Sequence, residues 1–226
     1  MEQVITLDHG SGGKKTSALI DELILPLLQN DALCELGDGA VLTGAEKLVF
    51  STDSFVVTPY FFPGGDIGKL SVCGTVNDVA MSGGEPKYLS LSLILEEGLP
   101  LEHLKQIIES IRVTAEKAGV HVVTGDTKVV EKGKGDGIFI NTSGIGVLRT
   151  PGLSPKAIKP GDKVLVSGTV GDHGAAVMLA RHSHLVEGEL RSDCAALHEL
   201  ALALGRELGS DLRVLRDPTR GGVATT

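Results

Sequence analysis

The sequence predicts an α/β (α+β) protein in two units, and three observations carry that expectation. Leu89, Leu91, Leu93 and Leu95 alternate with Tyr88, Ser90, Ser92 and Ile94, the two-residue period of a strand with one covered face. Leu104, Ile107, Ile108, Ile111 and Ala115 recur at helical spacing across Leu101 to Ala118, and Gly119 follows as a stop signal. Pro151-Gly152, Pro155 and Pro160-Gly161 then form a turn-rich connector. The expected division is an N-terminal unit of residues 1–150 and a partial C-terminal α/β unit of residues 151–226.

The remaining elements follow in order. A helix is expected after Ser11 or Thr16, since Leu19, Ile20, Leu23, Ile24, Leu27 and Leu28 share a face, with Pro26 kinking or ending it near Leu25. Lys47 to Ser51 reads as a strand that delivers Asp53 at its end. Ile67 to Met81 reads as a helix with small sides (Ser71, Gly74, Thr75, Ala80), suited to lie close on a neighbouring backbone. Val120 to Thr124 and Gly137 to Leu148 read as strands around a loop at Glu131 to Asp136. In the second unit we expect strands at Lys163 to Gly168 and at 213–215, and helices near 174–181 and 194–208. The chain stops at Thr226, where Arg220-Gly221-Gly222 should open another helix, so the second unit is expected to be unfinished and the chain a fragment.

Composition narrows the function classes. With 30 glycines and only 3% aromatics in 226 residues, tight turns and close backbone approaches must be common. A net charge of −8 argues against a general nucleic-acid binder. Cys34, Cys73 and Cys194 are isolated, which speaks for a reducing compartment and against a disulfide framework or zinc ribbon. No apolar run is long enough to span a bilayer, and a cytoplasmic location without membrane contact is expected.

The chemistry gathers on acidic turns. Asp38, Asp53, Asp78 and Asp126 each sit beside Gly, Ser, Thr or Asn. One such aspartate is ordinary turn chemistry. Four of them suit Mg²⁺, a hard cation that takes one or two carboxylates and shares the rest of its shell with phosphate. Gly10, Ser11, Gly12 and Gly13 form a loop whose N–H groups can approach an anion. It is not a Walker A loop, which needs Gly where Asp8 stands and Ser or Thr where Lys15 stands. Asn77, a polar residue inside an apolar helix, needs a partner or a ligand. Lys128 is placed for a phosphate contact or proton transfer, and Asp217 and Arg220 mark a turn suited to an anion. His182-Ser183-His184 lacks supporting ligands and reads as a solvated helix end. Together these features read as a nucleotide site without a P-loop.

Several stretches spell out a family. Phe50 to Thr58, Phe61 to Gly65, Gly74 to Gly84, Gly125 to Val130 and Arg216 to Gly222 closely resemble the HypE family of hydrogenase maturation factors, carbamoyl dehydratases of the aminoimidazole ribonucleotide synthetase superfamily. The resemblance runs from His9 to the last residue. It implies a PurM-like two-domain fold whose N-terminal domain forms a dimeric β-barrel, with ATP and Mg²⁺ held near the dimer interface. It also implies an ATP-dependent dehydration: a carbamoyl group on a C-terminal cysteine becomes a thiocyanate, the source of the cyanide ligands of [NiFe]-hydrogenase. By the same resemblance Asp38, Asp53, Asp78 and Asp126 are the Mg²⁺-phosphate carboxylates and Lys128 is the catalytic lysine. Gly10 to Gly13, Asn77, Asp217 and Arg220 line the nucleotide site. The implied partners are a second copy, a HypF-like carbamoyltransferase and a HypC-HypD-like iron scaffold. This chain ends in Thr226 rather than cysteine, so turnover on itself is not expected. Selenophosphate synthetase, the nearest rival, wants a reactive Cys or selenocysteine where Ser11 and its neighbours stand. A non-catalytic dimerisation and docking module for the carbamoyltransferase is the alternative from another class.

Overall fold

In the computed structural model, which describes residues 4–36, 39–182, 190–219 and 222–225, the chain opens with a broken helix. It comprises α1 (Lys14–Leu19), a π turn over Ile20–Ile24 and α2 (Leu25–Leu28). Pro26 accounts for the break. A proline ring collides with the carbonyl four residues back, and a wider turn relieves that contact. The Leu25 N–H accordingly bonds the Ile20 carbonyl, five residues back. A short α3 (Asp31–Cys34) follows, capped by Asn30, whose Oδ1 accepts the Leu33 N–H at 3.1 Å.

Beyond it come β1 (Leu48–Phe55), a small hairpin of β2 (Phe61–Phe62) and β3 (Gly65–Asp66), α4 (Ile67–Met81) and β4 (Gly84–Glu96). Then follow α5 (Leu101–Ala118), β5 (His121–Val130) and β6 (Ile138–Leu148). Four of these strands form one sheet in the order β1-β6-β4-β5, antiparallel except for the parallel β4-β5 pair that α5 connects. Strand β4 carries Pro86 beside a shift in its register against β6, a bulge that tolerates the missing N–H. Glu96 accepts the Gly133 and Gly137 N–H groups and so fastens the loop between β5 and β6.

The sheet has unlike faces. Leu89, Leu91, Leu93, Leu95, Ile138 and Ile140 are buried toward the helices, where Ile67, Val72, Val76, Leu104, Ile107, Ile108 and Ile111 complete the core. The other face carries Thr52, Ser54, Ser90, Ser92, Asn141 and Ser143, together with Phe50, which is 67% exposed. Within one chain the sheet stays open, so the barrel implied by the family resemblance is not closed by these strands alone.

Helix α4 earns its small residues. It lies across β6 so closely that a methyl group added at Gly144 would stand 2.7 Å from Thr75 Cγ2. One added at Gly146 would stand 2.5 Å from Val79 Cγ1 and 2.6 Å from the Glu85 carbonyl oxygen. Thr75 and Thr142 hydroxyls meet at 2.5 Å inside this contact, and Thr142 also donates to the Ser71 carbonyl at 3.0 Å.

The second unit holds α6 (Asp172–Arg181) and α7 (His198–Leu208). Three expectations change here. The segment Lys163 to Gly168 is not a strand: no neighbouring strand among the described residues pairs with it, and Val164 and Leu165 are 88% and 81% exposed. Residues 213–215 form no ladder either, although the Arg213 carbonyl accepts the Ser154 N–H at 2.9 Å. Helix α7 starts at His198 rather than 194 because the Ala195 carbonyl and the Leu197 N–H bond to Asn77 instead of to an earlier helical turn.

Replacing Gly146 with alanine should lower stability by about 1–3 kcal/mol, the usual range for forcing a methyl group into a filled contact. Urea unfolding would show a lower midpoint with an unchanged slope, whereas an unchanged midpoint would mean that α4 does not sit this close.

Candidate functional site

The ladder between β1 and β6 continues from Ser51 to Phe55, opposite Ile140, so Asp53 lies within the strand rather than in a turn at its end. Alternation turns Ser51, Asp53 and Phe55 toward α4. There Gly74 leaves room for the Phe55 ring, and a methyl group on it would stand 3.9 Å from Asp53 Oδ2. One helical turn further, Asp78 Oδ2 accepts the Ser51 hydroxyl at 2.9 Å. Asp217 approaches the same place from the second unit. Burial raises its carboxyl above the ordinary 3.8, and the negative charges of Asp78 and Asp53 push it the same way; its own backbone and Arg216 oppose. Asp217, from the 213–219 segment, therefore feels carboxylates from β1 and α4.

The second group lies elsewhere. Strand β5 runs on to Val130 beside β4, which puts Asp126 and Lys128 within the strand, opposite Ser92 and Ile94. Both point to the exposed face of the sheet, with the Lys128 Nζ 3.8 Å from Asp126 Oδ2. The glycine-rich loop docks at the edge of β5 against Val129, which alternation turns away from Lys128: a methyl group on Gly10 would stand 2.8 Å from the Val129 nitrogen and 2.9 Å from its Cβ. Gly12 has φ +78°, and its N–H is held by the Thr16 hydroxyl at 3.0 Å, while the Ser11 hydroxyl donates to the Asp8 carbonyl. Lys15 pairs with Asp8 at 2.9 Å. The structure thus gathers Asp53, Asp78 and Asp217 on the helix side of the sheet, and Gly10 to Gly13, Asp126 and Lys128 around β5. Strands β1 and β5 are three ladder steps apart, roughly 14 Å at the usual spacing.

Asn77 has another task. Its Nδ2 donates to the Ala195 carbonyl at 3.0 Å and its Oδ1 accepts the Leu197 N–H at 2.7 Å. The partner that a polar residue in this helix requires is the backbone of the second unit. Asp38 and Arg220 lie outside the described residues, as do Ser183 and His184.

Among the described residues no three His, Cys, Asp or Glu side chains are gathered tightly enough to hold a metal through protein ligands alone. Mg²⁺ asks for less, since it commonly takes one or two carboxylates and completes its shell with phosphate oxygens and water. The set at Asp53, Asp78 and Asp217 fits such an ion, which would offset the negative charge that Asp217 feels from the other two. No helix among the described residues is long and apolar enough to cross a membrane.

A mixed sheet covered on one side by helices, with acidic side chains between the sheet and a second unit, defines the class. The chain belongs to the AIR synthase related family: the N-terminal domain of that family matches residues 36–148 and its C-terminal domain residues 159–226. Within the family its place is with HypE. It is 51% identical to carbamoyl dehydratase HypE of Cupriavidus necator over 225 residues, covering 98% of this chain and 64% of that one. A crystal structure of hydrogenase maturation protein HypE in complex with ATP superposes with a TM-score of 0.93 at 48% identity, over 97% of this chain and 65% of that one. HypE in a HypE-HypF complex superposes at 0.76 with 53% identity, over 92% of this chain and 68% of that one. The chain thus spans somewhat under two thirds of the length of the first two of these relatives.

Asp217→Asn tests the charge cluster. A folded-state pKa above 3.8 means that the native state holds the proton more tightly than the unfolded state does, so stability falls as pH rises through the native pKa. In the absence of divalent cations the variant should melt above the parent at pH 7, and the difference should close as pH drops below 3.8. Parallel melting curves at both pH values would separate Asp217 from the other two carboxylates.

Proposed function

We propose that the chain supplies the nucleotide-binding part of an ATP-dependent carbamoyl dehydratase. In the whole protein, an S-carbamoyl group on a C-terminal cysteine is dehydrated to a thiocyanate, its oxygen leaving on phosphate, for [NiFe]-hydrogenase maturation. The convergence of Asp53, Asp78 and Asp217 carries this reading, because half-buried carboxylates grouped in this way suit a hard cation and the anion it accompanies. The HypE relative that was crystallised with ATP supports the nucleotide.

Asp53, Asp78 and Asp217 are the residues we assign to Mg²⁺, which when bound would neutralise the triphosphate and polarise its terminal phosphoryl group. Ser51 orients Asp78 by donating to one of its oxygens. Asp126 is assigned to the phosphate end of the site, together with Asp38 on the strength of the family resemblance. Lys128 is the cation we assign to phosphate contact or proton transfer; its present partner, Asp126, is exposed and 3.8 Å away, a pairing weak enough to exchange. The Gly10 to Gly13 loop, at the edge of β5, and Arg220 are assigned to the same anion on the strength of the family resemblance. Asn77 acts at one remove, fixing the 195–197 backbone against α4.

A second copy belongs on the exposed sheet face. Phe50 and Leu48, 67% and 51% exposed on neighbouring positions of β1, and Ile94, 42% exposed on β4, are apolar groups left toward solvent, and each is worth about 1.5–3 kcal/mol once fully covered. Asp126 and Lys128 share that face, so pairing would bring the mate up to this half of the site. The HypE-HypF complex supports a carbamoyltransferase as a further partner, and a HypC-HypD-like scaffold would receive the product.

Calorimetric titration with Mg-ATP tests the site. Asp78→Asn and Asp126→Asn should each weaken binding at least tenfold, about 1.4 kcal/mol. Unchanged affinity in Asp78→Asn would overturn the carboxylate assignment. For the dimer, Phe50→Glu should convert the sedimenting species from dimer to monomer without changing the far-ultraviolet spectrum; a parent chain that already sediments as a monomer would remove the proposed interface.

A further inference from the structure

Cys73 and Cys194 stand far apart in the sequence, yet the fold makes them neighbours. Cys73 lies on α4 one turn before Asn77, so the two share a helix face. The segment that meets this face is pinned on both sides of Cys194. The Ser192 N–H donates to the Pro63 carbonyl at 2.8 Å, and the Ser192 hydroxyl meets His173 Nδ1 at 3.0 Å and accepts the Cys194 N–H at 3.1 Å. Asn77 then grips Ala195 and Leu197. Held in this way, Cys73 and Cys194 come close enough for each thiol to perturb the other. Both open on a cleft of about 610 Å³, also lined by Lys69, Ser110, Lys117 and His198.

We propose that Cys73 and Cys194 form a reversible thiol–disulfide site, closed by small disulfides of the glutathione class, which fastens residues 192–197 to α4. Nothing in the ATP chemistry uses either sulfur.

The two thiols have unequal roles. Cys194 is half-buried and faces the cleft, whereas Cys73 is 2% exposed, so a reagent meets Cys194 first. The neighbouring Cys73 thiol holds the Cys194 thiol below its ordinary range, with Lys69 adding to the effect against burial and the charges of Asp193 and Asp66. The Cys194 thiol, then burial, holds Cys73 protonated. A thiolate that is formed readily attacks, and a neighbouring protonated thiol resolves.

The Cys194 thiolate attacks one sulfur of the small disulfide RSSR. A Cys194–S–S–R bond forms and RS⁻ leaves, taking up the proton that Cys194 gave up. Cys73 then loses its proton and attacks the Cys194 sulfur, forming the Cys73–Cys194 bond and expelling the second RS⁻, which takes that proton. Two protein thiols are oxidised and one RSSR is reduced to two RSH.

The test incubates the whole chain with oxidised glutathione, blocks free thiols by alkylation and maps the peptides by mass spectrometry; exposed Cys34 serves as the internal reference. The expected result is joint loss of the free thiols at 73 and 194 as one linked peptide, restored by dithiothreitol. In Cys73→Ser, glutathione should instead accumulate as a stable adduct on Cys194. A parent chain in which Cys34 reacts while 73 and 194 stay free, or in which Cys194 keeps the adduct despite Cys73, would overturn the proposal. That arm needs no variant, so a folding defect in Cys73→Ser cannot decide the matter.

Discussion

The close seat of α4 on β6 governs most of what surrounds it. Glycine at 144 and 146 lets Thr75 and Val79 approach the sheet at backbone distance, and the Thr75–Thr142 hydroxyl contact fixes the helix along the strand. Two consequences follow from helical geometry. Gly74 and Asp78, one turn apart, face β1, which brings Asp78 to Ser51 and Asp53. Cys73 and Asn77, also one turn apart but rotated around the axis, face the second unit. One helix therefore organises the acidic cluster on one flank and the junction with residues 192–197 on the other. A larger side chain on β6 would lift both.

Much of this was legible in the sequence, for physical reasons that can be named. Strand β4 and helix α5 carry strong hydrophobic periods, and both appear where those periods put them, α5 with the expected Leu101 and Ala118 bounds. Small residues in α4 signalled close packing because only backbone-level contact requires them. What the sequence hid was pairing. Strand ends depend on the partner strand: β6 extends β1 to Phe55 and β4 extends β5 to Val130, so aspartates that look like turn residues are strand residues. Conversely, Val164 to Val166 has strand composition and finds no ladder. The Cys73–Cys194 contact was hidden for the same reason, since isolated spacing says nothing about segments joined by tertiary structure.

The four aspartates show how far a motif reaches. Their residue types announce metal and phosphate, and Asp53 and Asp78 do converge, with Asp217 as a third member whose titration feels both. Asp126 is on the opposite face of the sheet, beside Lys128. Carboxylates about 14 Å apart and on opposite faces of one sheet cannot share a single ion within one chain. The separation thus argues against a metal centre built from all of these aspartates together.

Asn77 illustrates a different logic. A buried carboxamide costs about 1–3 kcal/mol when left unpaired, so within α4 it had to bind a ligand or hold a chain segment. Here both of its polar ends are satisfied by the backbone around Ala195 and Leu197, which delays the start of α7 to His198 and leaves Cys194 just outside the helix. Had α7 begun at 194, its own turns would have claimed those backbone groups and rotated the cysteine away from Cys73. The thiol contact is therefore a by-product of satisfying one amide, and whatever loosens that amide should separate the sulfurs as well.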